Sequence, residues 1–272
     1  MRLGGWRVGV CVALGIVAFA GCWSTSAFSQ NDDPEVKAME QGKAAFKAGQ
    51  YGAAIDSLKK ALAIDPDYTI AELYLGASYA MQVIPDAKTP ENQANAENAI
   101  AALKRIPEDD GSYHNAQKLL ALVYRDTGRL DDARTAELAA LKIAEDAETH
   151  YAIGVLDWRE ATEFARAALE AEGMRDDGAG NAQMSAIACA KIKEHNSPLV
   201  EDAITQLTRA IEMNSKYSDA MGYLNLVYRR RADFDCDDAA ARAQDMELAN
   251  RWEKQAELAK TAAAQPAGGA AK

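Results

Sequence analysis

Residues 49–68, GQYGAAIDSLKKALAIDPDY, decide how the chain is read. Gly49 suits a tight turn, where a left-handed backbone costs glycine little, and Tyr51 follows it by two. Ala54, Leu58, Ala61 and Leu62 then recur at i, i+4, i+7 and i+8, which is one apolar face of a helix. Ala54 and Ala61 are small where a partner helix must come close. Asp65-Pro66 ends the run because proline cannot continue the helical hydrogen bonds. A turn, a helix with a small-bulky-small face and a proline stop predict the second half of a helix pair.

The rest of the chain fits helices as well. Of 272 residues 49% are hydrophobic, 26% charged and only 7% aromatic. Alternating Val/Ile runs are nearly absent after the first twenty residues, so strand signals are missing and the fold class expected is all-α. The length suits roughly five to seven helix pairs. A formal net charge of −11, from 41 acidic against 30 basic residues, is opposite to the balance of a nucleic-acid binder, and no nucleic-acid partner is expected.

The small-bulky-small-proline pattern resembles the second half of a tetratricopeptide repeat (TPR). Unit one spans about 35–68, with Gly42 at the close-packing position of its first helix. Unit two, about 69–113, opens with LYLGASYA, which places Leu75, Gly76 and Tyr79 where TPR first helices carry leucine, glycine and tyrosine. Unit three, about 114–147, has Tyr124, Gly128 and Ala140 in place, and Ala99 to Ala133 is one period of about 34 residues. Unit four, about 148–217, begins YAIGVLDWREATEFARAAL. Unit five, about 218–260, carries Leu224 and Tyr228, with Asn225 in place of the usual glycine. The resemblance implies a right-handed α-solenoid of about five TPR helix pairs, from 35 to 260.

Two departures are expected. VIPDAKTPENQ, 83–93, reads as an insertion of about eleven residues in unit two, before the helix resumes at AENAIAALKRIP. In unit four, Gly154 and Ala203 lie about 49 residues apart where the family has about 12. The extra stretch, about 165–200, reads as a Gly/Asp loop (EGMRDDGAGN), a short apolar-faced helix (QMSAIACAKIKEH) and a stop at NSP. The long amphipathic stretch AAARAQDMELANRWEKQAELAK, with Met246, Leu248, Trp252 and Leu258, closes the stack, and 261–272 reads as a disordered tail.

Residues 1–22 place two arginines before an apolar run, Val8 to Ala20, and then small residues, the layout of a secretory signal. The run is short of the roughly 20 residues that span a bilayer. Phe19-Ala20-Gly21-Cys22 is similar to a bacterial lipobox, which would make Cys22 the lipidated first residue, although Phe19 replaces the usual leucine. Cleavage after Ala27-Phe28-Ser29 is the other route. Either implies export to the cell envelope, with 23–34 as a tether and any membrane attachment made through an N-terminal lipid.

TPR proteins hold a protein or peptide on the concave face that their first helices line. Carried over by position, that face comprises Lys43, Phe46, Lys47, Leu73, Met81, Lys118, Leu122 and Arg125, then Tyr151, Arg159, Tyr223, Leu226, Arg229 and Arg230. Its basic character predicts an acidic partner; alternatively, Arg229 to Arg231 are a solvated helix end. The lysine and asparagine set of a carboxylate clamp cannot be placed. Trp158 fits a core position by strict period and the groove by alignment on Ile153-Gly154, and packing in the core is expected. Cys189 and Cys236, the cysteines beyond Cys22, either form a disulfide in an oxidising compartment or stay as buried thiols.

No cofactor, metal or catalytic site is expected. Asp233, Asp235 and Asp237 alternate as at the start of a calcium loop, but Asp238 stands where that loop needs glycine and Gln244 where it needs glutamate. His114, His150 and His195 lack metal spacing. The rival readings are a self-associating structural protein of the envelope, and an enzyme with His195, Asp176 or Asp177 acting in the 160–200 stretch.

Overall fold

The computed structural model describes residues 33–236 and 238–264. Among them are ten α-helices and a 3-10 turn at Ala232–Phe234. The helices pack as five consecutive pairs: α1 (Pro34–Lys47) with α2 (Tyr51–Ile64), α3 (Thr69–Ala80) with α4 (Pro90–Leu103), and α5 (Tyr113–Asp126) with α6 (Leu130–Ile143). The last two pairs are α7 (Ala147–Glu170) with α8 (Ala186–Met213), and α9 (Ser218–Arg231) with α10 (Ala239–Ala264). This is the all-α arrangement of a TPR solenoid, closed by a long C-terminal helix.

Local sequence sets the punctuation. Gly49 and Gly128 turn at φ 72° and 77°, and the residue after each donates its N–H back into the first helix, Gln50 to Ala45 O and Arg129 to Tyr124 O. Pro34 and Pro90 open α1 and α4, where a missing N–H costs nothing. Asp146 and Ser185 cap α7 and α8 by accepting the N–H of Thr149 and Ala188 at 2.9 and 3.0 Å.

Within three pairs one leucine of the second helix lies on a glycine of the first. A Cβ on Gly42, Gly76 or Gly154 would stand 2.6, 2.5 or 2.6 Å from Cγ of Leu58, Leu103 or Leu207. In the fifth pair Asn225 takes the glycine position, and its side-chain amide donates to Ala249 O at 2.8 Å, so a hydrogen bond replaces the close approach. The apolar core is in two parts, one through α1–α6 that takes in Leu156 of α7, and one through α7–α10. Polar side chains bridge the boundary: Arg134 of α6 reaches buried Asp157 of α7 at 2.7 Å and also Asp202 of α8, while His150 meets Gln206 and Glu145.

The structure corrects both insertions. Pro198 does not stop a helix, since α8 runs unbroken through it from Ala186 to Met213. Pro198 is exposed, and the turn before it is held by Asn196, fully buried, whose amide donates to Ala161 O of α7 at 2.8 Å. Ile192 and Val200 are buried on either side, and this packing offsets the roughly 3 kcal/mol a mid-helix proline costs. The extra residues of unit four are therefore lengthened α7 and α8 plus the loop 171–185. In unit two α4 begins at Pro90, earlier than expected, and ends at Leu103. Asn92, in its first turn, folds the preceding loop by accepting from Ile84 N (2.7 Å) and donating to Ile84 O and Ala87 O (3.0 and 2.8 Å). Residues 261–264, expected in the tail, are helical. The expected signal segment, Cys22 and most of the expected tether lie outside the described residues, as do 265–272.

Cys189 and Cys236 are joined, with Cα atoms 5.9 Å apart, which fastens the start of α8 to the segment before α10. Closing a loop of 47 residues restricts the unfolded chain by about 4 kcal/mol on the loop-entropy model, and about 2–4 kcal/mol is usual. Cys189→Ser/Cys236→Ser is expected to lose that much in urea unfolding, and dithiothreitol should lower the wild-type midpoint to that of the variant. An unchanged midpoint in dithiothreitol would refute the bond's contribution.

Candidate binding cavity

Residues spaced three or four apart on the first helices share one inward face: Leu73 and Ala77 on α3, and Lys118, Leu122 and Arg125 on α5. With Phe46 and Tyr74, Asn115 and Leu119, Glu137 of α6, Tyr151 and Ala152 of α7, Glu148 and Tyr217, they line a cavity of about 500 Å³. The cavity thus draws on the first four pairs and on the turn into the fifth. Its lining is aromatic at both ends. Phe46 meets Tyr74 edge-on at 5.5 Å, and Tyr151 lies 5.0 Å from Tyr217 and 5.6 Å from Tyr223. Burial pushes the phenols of Tyr151 and Tyr217 up to about 12, so both remain hydrogen-bond donors at neutral pH.

Six of the expected partner-binding residues come together here: Phe46, Leu73, Lys118, Leu122, Arg125 and Tyr151. Arg159 and Tyr223 line an adjoining cavity of about 270 Å³ that Arg125 and Glu137 also border. Trp158 lines that cavity too, packed edge-on against Tyr223 at 5.2 Å, and it also packs against the core of α7–α10, so it stands between the core position expected of it and the groove. Tyr223 and Leu226 face α10 across a third cavity of about 580 Å³. Lys43, Lys47 and Met81 line none of these; Lys43 pairs with Glu40 at 3.3 Å, Lys47 is exposed, and Met81 is 41% exposed.

The groove is not basic, because most of its cations are already paired. Lys118 donates to Glu148 at 2.6 Å and stands 3.5 Å from Asp146. Burial opposes its charge, but these carboxylates outweigh burial and hold its affinity for the proton above the ordinary lysine value. Arg159 bridges Asp86 and Glu163, and Arg125 donates to Asp126 at 3.1 Å. Arg229 bonds Asn225, Gly178 O and Asn250 and lies 3.6 Å from Glu253.

Arg230 is not on the groove at all. It is 3% exposed and set between Asp176 (2.7 Å) and Asp233 (3.1 Å), with Asn181 donating to both carboxylates. Nor are Arg229 to Arg231 a solvated helix end, since Arg231 forks onto Asp245. Asp233 is thereby turned inward, away from any calcium loop, and Asp237 lies outside the described residues. His195 stacks flat on Phe164 at 3.7 Å, and Asp176 is engaged with Arg230.

Tyr74, Tyr217 and Glu137 were not anticipated from sequence. The period held the signal for the last: one period after Leu103, a glutamate stands where units one, two and four place a core leucine.

Five stacked helix pairs around a cavity lined by their first helices define a TPR-type solenoid. A TPR repeat model matches residues 42–83, from the end of α1 through α2 and α3, which is most of unit one and the first helix of unit two. No curated protein sequence matches the chain. Among solved structures, the crystal structure of MamA protein superposes with a TM-score of 0.56 at 16% identity, covering 88% of this chain and 98% of that one. A second crystal structure of MamA gives 0.53 at 17% identity over 82% and 96%. YrrB, described as a TPR protein with an unusual peptide-binding site, gives 0.52 at 12% identity over 85% and 92%. At these identities the likeness is one of fold.

Proposed function

We propose that this chain is a TPR scaffold that captures a segment of a partner protein in the inner cavity, and that it does so in the cell envelope after export. The observation that carries the reading is the cavity itself: about 500 Å³, walled by Phe46, Leu73, Leu119, Leu122, Tyr74 and Tyr151 from four successive first helices. Apolar and aromatic walls with a few polar groups are what a bound side-chain segment requires. TPR scaffolds bind proteins and peptides and are typically non-enzymatic. The positively charged, apolar, small-residue order of 1–22 supports export, with Cys22 as the lipidated residue, and the Cys189–Cys236 bond suits an oxidising compartment. An acidic partner would have to displace Glu148 from Lys118, so the paired cations favour an occupant held by its apolar surface.

The test is crosslinking capture from envelope membranes with the full-length protein and with Leu122→Asp, which puts a charge in the middle of the cavity wall. Capture of a defined partner by wild type, reduced at least about tenfold in the variant, is the expected outcome. Equal capture by both would remove the cavity from consideration, and recovery of this chain alone would point to self-assembly.

A further inference from the structure

In units one, two and four the seam between helices is closed by a leucine laid on a glycine. In unit three the same positions hold Glu137 and Ala121: Leu120-Ala121 stands where unit two has Leu75-Gly76, and Glu137 stands where it has Leu103. A Cβ at the glycine position would sit about 2.5–2.6 Å from the leucine Cγ, and Ala121 carries that Cβ. The leucine packing is therefore closed to residue 137, and its side chain lines the cavity instead. Glu137 is 7% exposed, and its Oε2 has no hydrogen-bond partner. A buried carboxyl with a free oxygen is costly to the protein alone, and the cost is relieved by an occupant that supplies a donor.

The surroundings indicate which donor. Facing Glu137 are Lys118 and Arg125 from α5, Asp146 before α7, and Glu148 from α7. Tyr151 of α7, Tyr74 of α3 and Tyr217 line the same cavity. Lys118 is engaged by Glu148 and Asp146, and Arg125 by Asp126, so these cations act on Glu137 only from a distance and leave it without a direct ion pair. The rings of Phe46, Tyr74, Tyr151 and Tyr217 add faces that attract a cation.

We propose that Glu137 is the specificity-determining residue of the cavity, selecting a partner segment that inserts a lysine or arginine side chain, whose cation pairs with Oε2. The inference rests on the peptide-binding reading of the cavity and names its chemistry. Burial pushes the empty Glu137 up to about 8, against Lys118 and Arg125, which pull it down. An inserted cation would drive it to ionise and release its proton. Binding should therefore strengthen as pH rises towards about 8, by at most about tenfold per pH unit, because the fraction already ionised grows.

The test titrates the full chain with three dye-labelled peptide pools, capped at both ends and alike except for a central lysine, norleucine or glutamate. The lysine pool is expected to bind about tenfold tighter than norleucine at pH 8, with the advantage shrinking towards pH 6. Glu137→Gln should erase the preference of the lysine pool over the norleucine pool and its pH dependence. Ala121→Gly/Glu137→Leu, which installs the residue pair of units one, two and four, should fold and show no lysine preference. Equal binding of lysine and norleucine, retention of the preference in Glu137→Gln, or tightest binding of glutamate would overturn the proposal while leaving peptide binding intact. Failure of all three pools on wild type would overturn both readings, and loss of every pool in Leu122→Asp alone would preserve both.

Discussion

Gly76→Ala is expected to destabilise the fold by about 1–2 kcal/mol, and Gly76→Val by about 3 kcal/mol, although glycine to alanine inside a helix ordinarily stabilises by about 1 kcal/mol. The reversal follows from what the new Cβ would meet: Cγ and Cδ2 of Leu103 at 2.5 and 2.6 Å, with Ala99 O behind at 3.4 Å. Leu103 is 1% exposed and has no free space to turn into, so relief has to come from separating α3 and α4. Two controls isolate the cause. Gly222→Ala, in α9 with nothing within 4 Å of the added Cβ, should follow propensity and stabilise by about 0.5–1 kcal/mol. In a Leu103→Ala background, which is itself destabilised, Gly76→Ala should cost less than it does in wild type, giving a coupling energy in a double-mutant cycle. Urea unfolding of these variants and of Leu103→Ala alone reads all of this, and a stabilising Gly76→Ala would refute the close-packed seam.

Arg230→Met is expected to be the more damaging change, at about 3–5 kcal/mol, because it leaves charge buried without a partner. Asp233 is fully buried and Asp176 partly so, and the Arg230 guanidinium lies between them. Burial pushes Asp233 up to about 6, with Arg230 opposing; at Asp176 burial also raises, but Arg230, the Gly178 N–H and Asn181 outweigh it and hold the group low. Removing Arg230 should raise both. A carboxyl whose folded value lies above its unfolded value stabilises while protonated and loses that contribution as pH climbs between the two. The variant should therefore unfold more easily at pH 8 than at pH 5. Arg230→Met/Asp176→Asn/Asp233→Asn should recover stability and flatten the profile. A loss under 1 kcal/mol in the single variant would mean the loop 171–185 is not held by this cluster.

These two sites mark how far the chain can be read from sequence. The Gly76 contact was legible because repetition announces it: a glycine, then an alanine and a leucine four residues further on, recurs in register, and periodicity translates directly into which helix faces meet. Six cavity positions were legible through the resemblance, which carries the inward face of the first helices over position by position. Arg230 shows the limit. Its position marks a helical face, but its partners lie 54 residues back at Asp176 and three ahead at Asp233, and only the fold of the loop 171–185 brings them together.

Pro198 and Glu137 make the same point with opposite signs. The proline was a local stop signal that packing of Asn196, Ile192 and Val200 against α7 overrode. The glutamate's signal was a break in the repeat period and not a local pattern, and its place in the cavity followed from the tertiary packing around Ala121. By itself the sequence determined the all-α class, the five helix pairs, the seams of small residues and the inward face, because each depends on spacing along one helix. Tertiary structure alone decided which charges are spent on one another, that α7 and α8 are single long helices, and that the cavity holds a carboxyl without a partner. Those outcomes depend on distances between residues far apart in the chain, which no local pattern encodes.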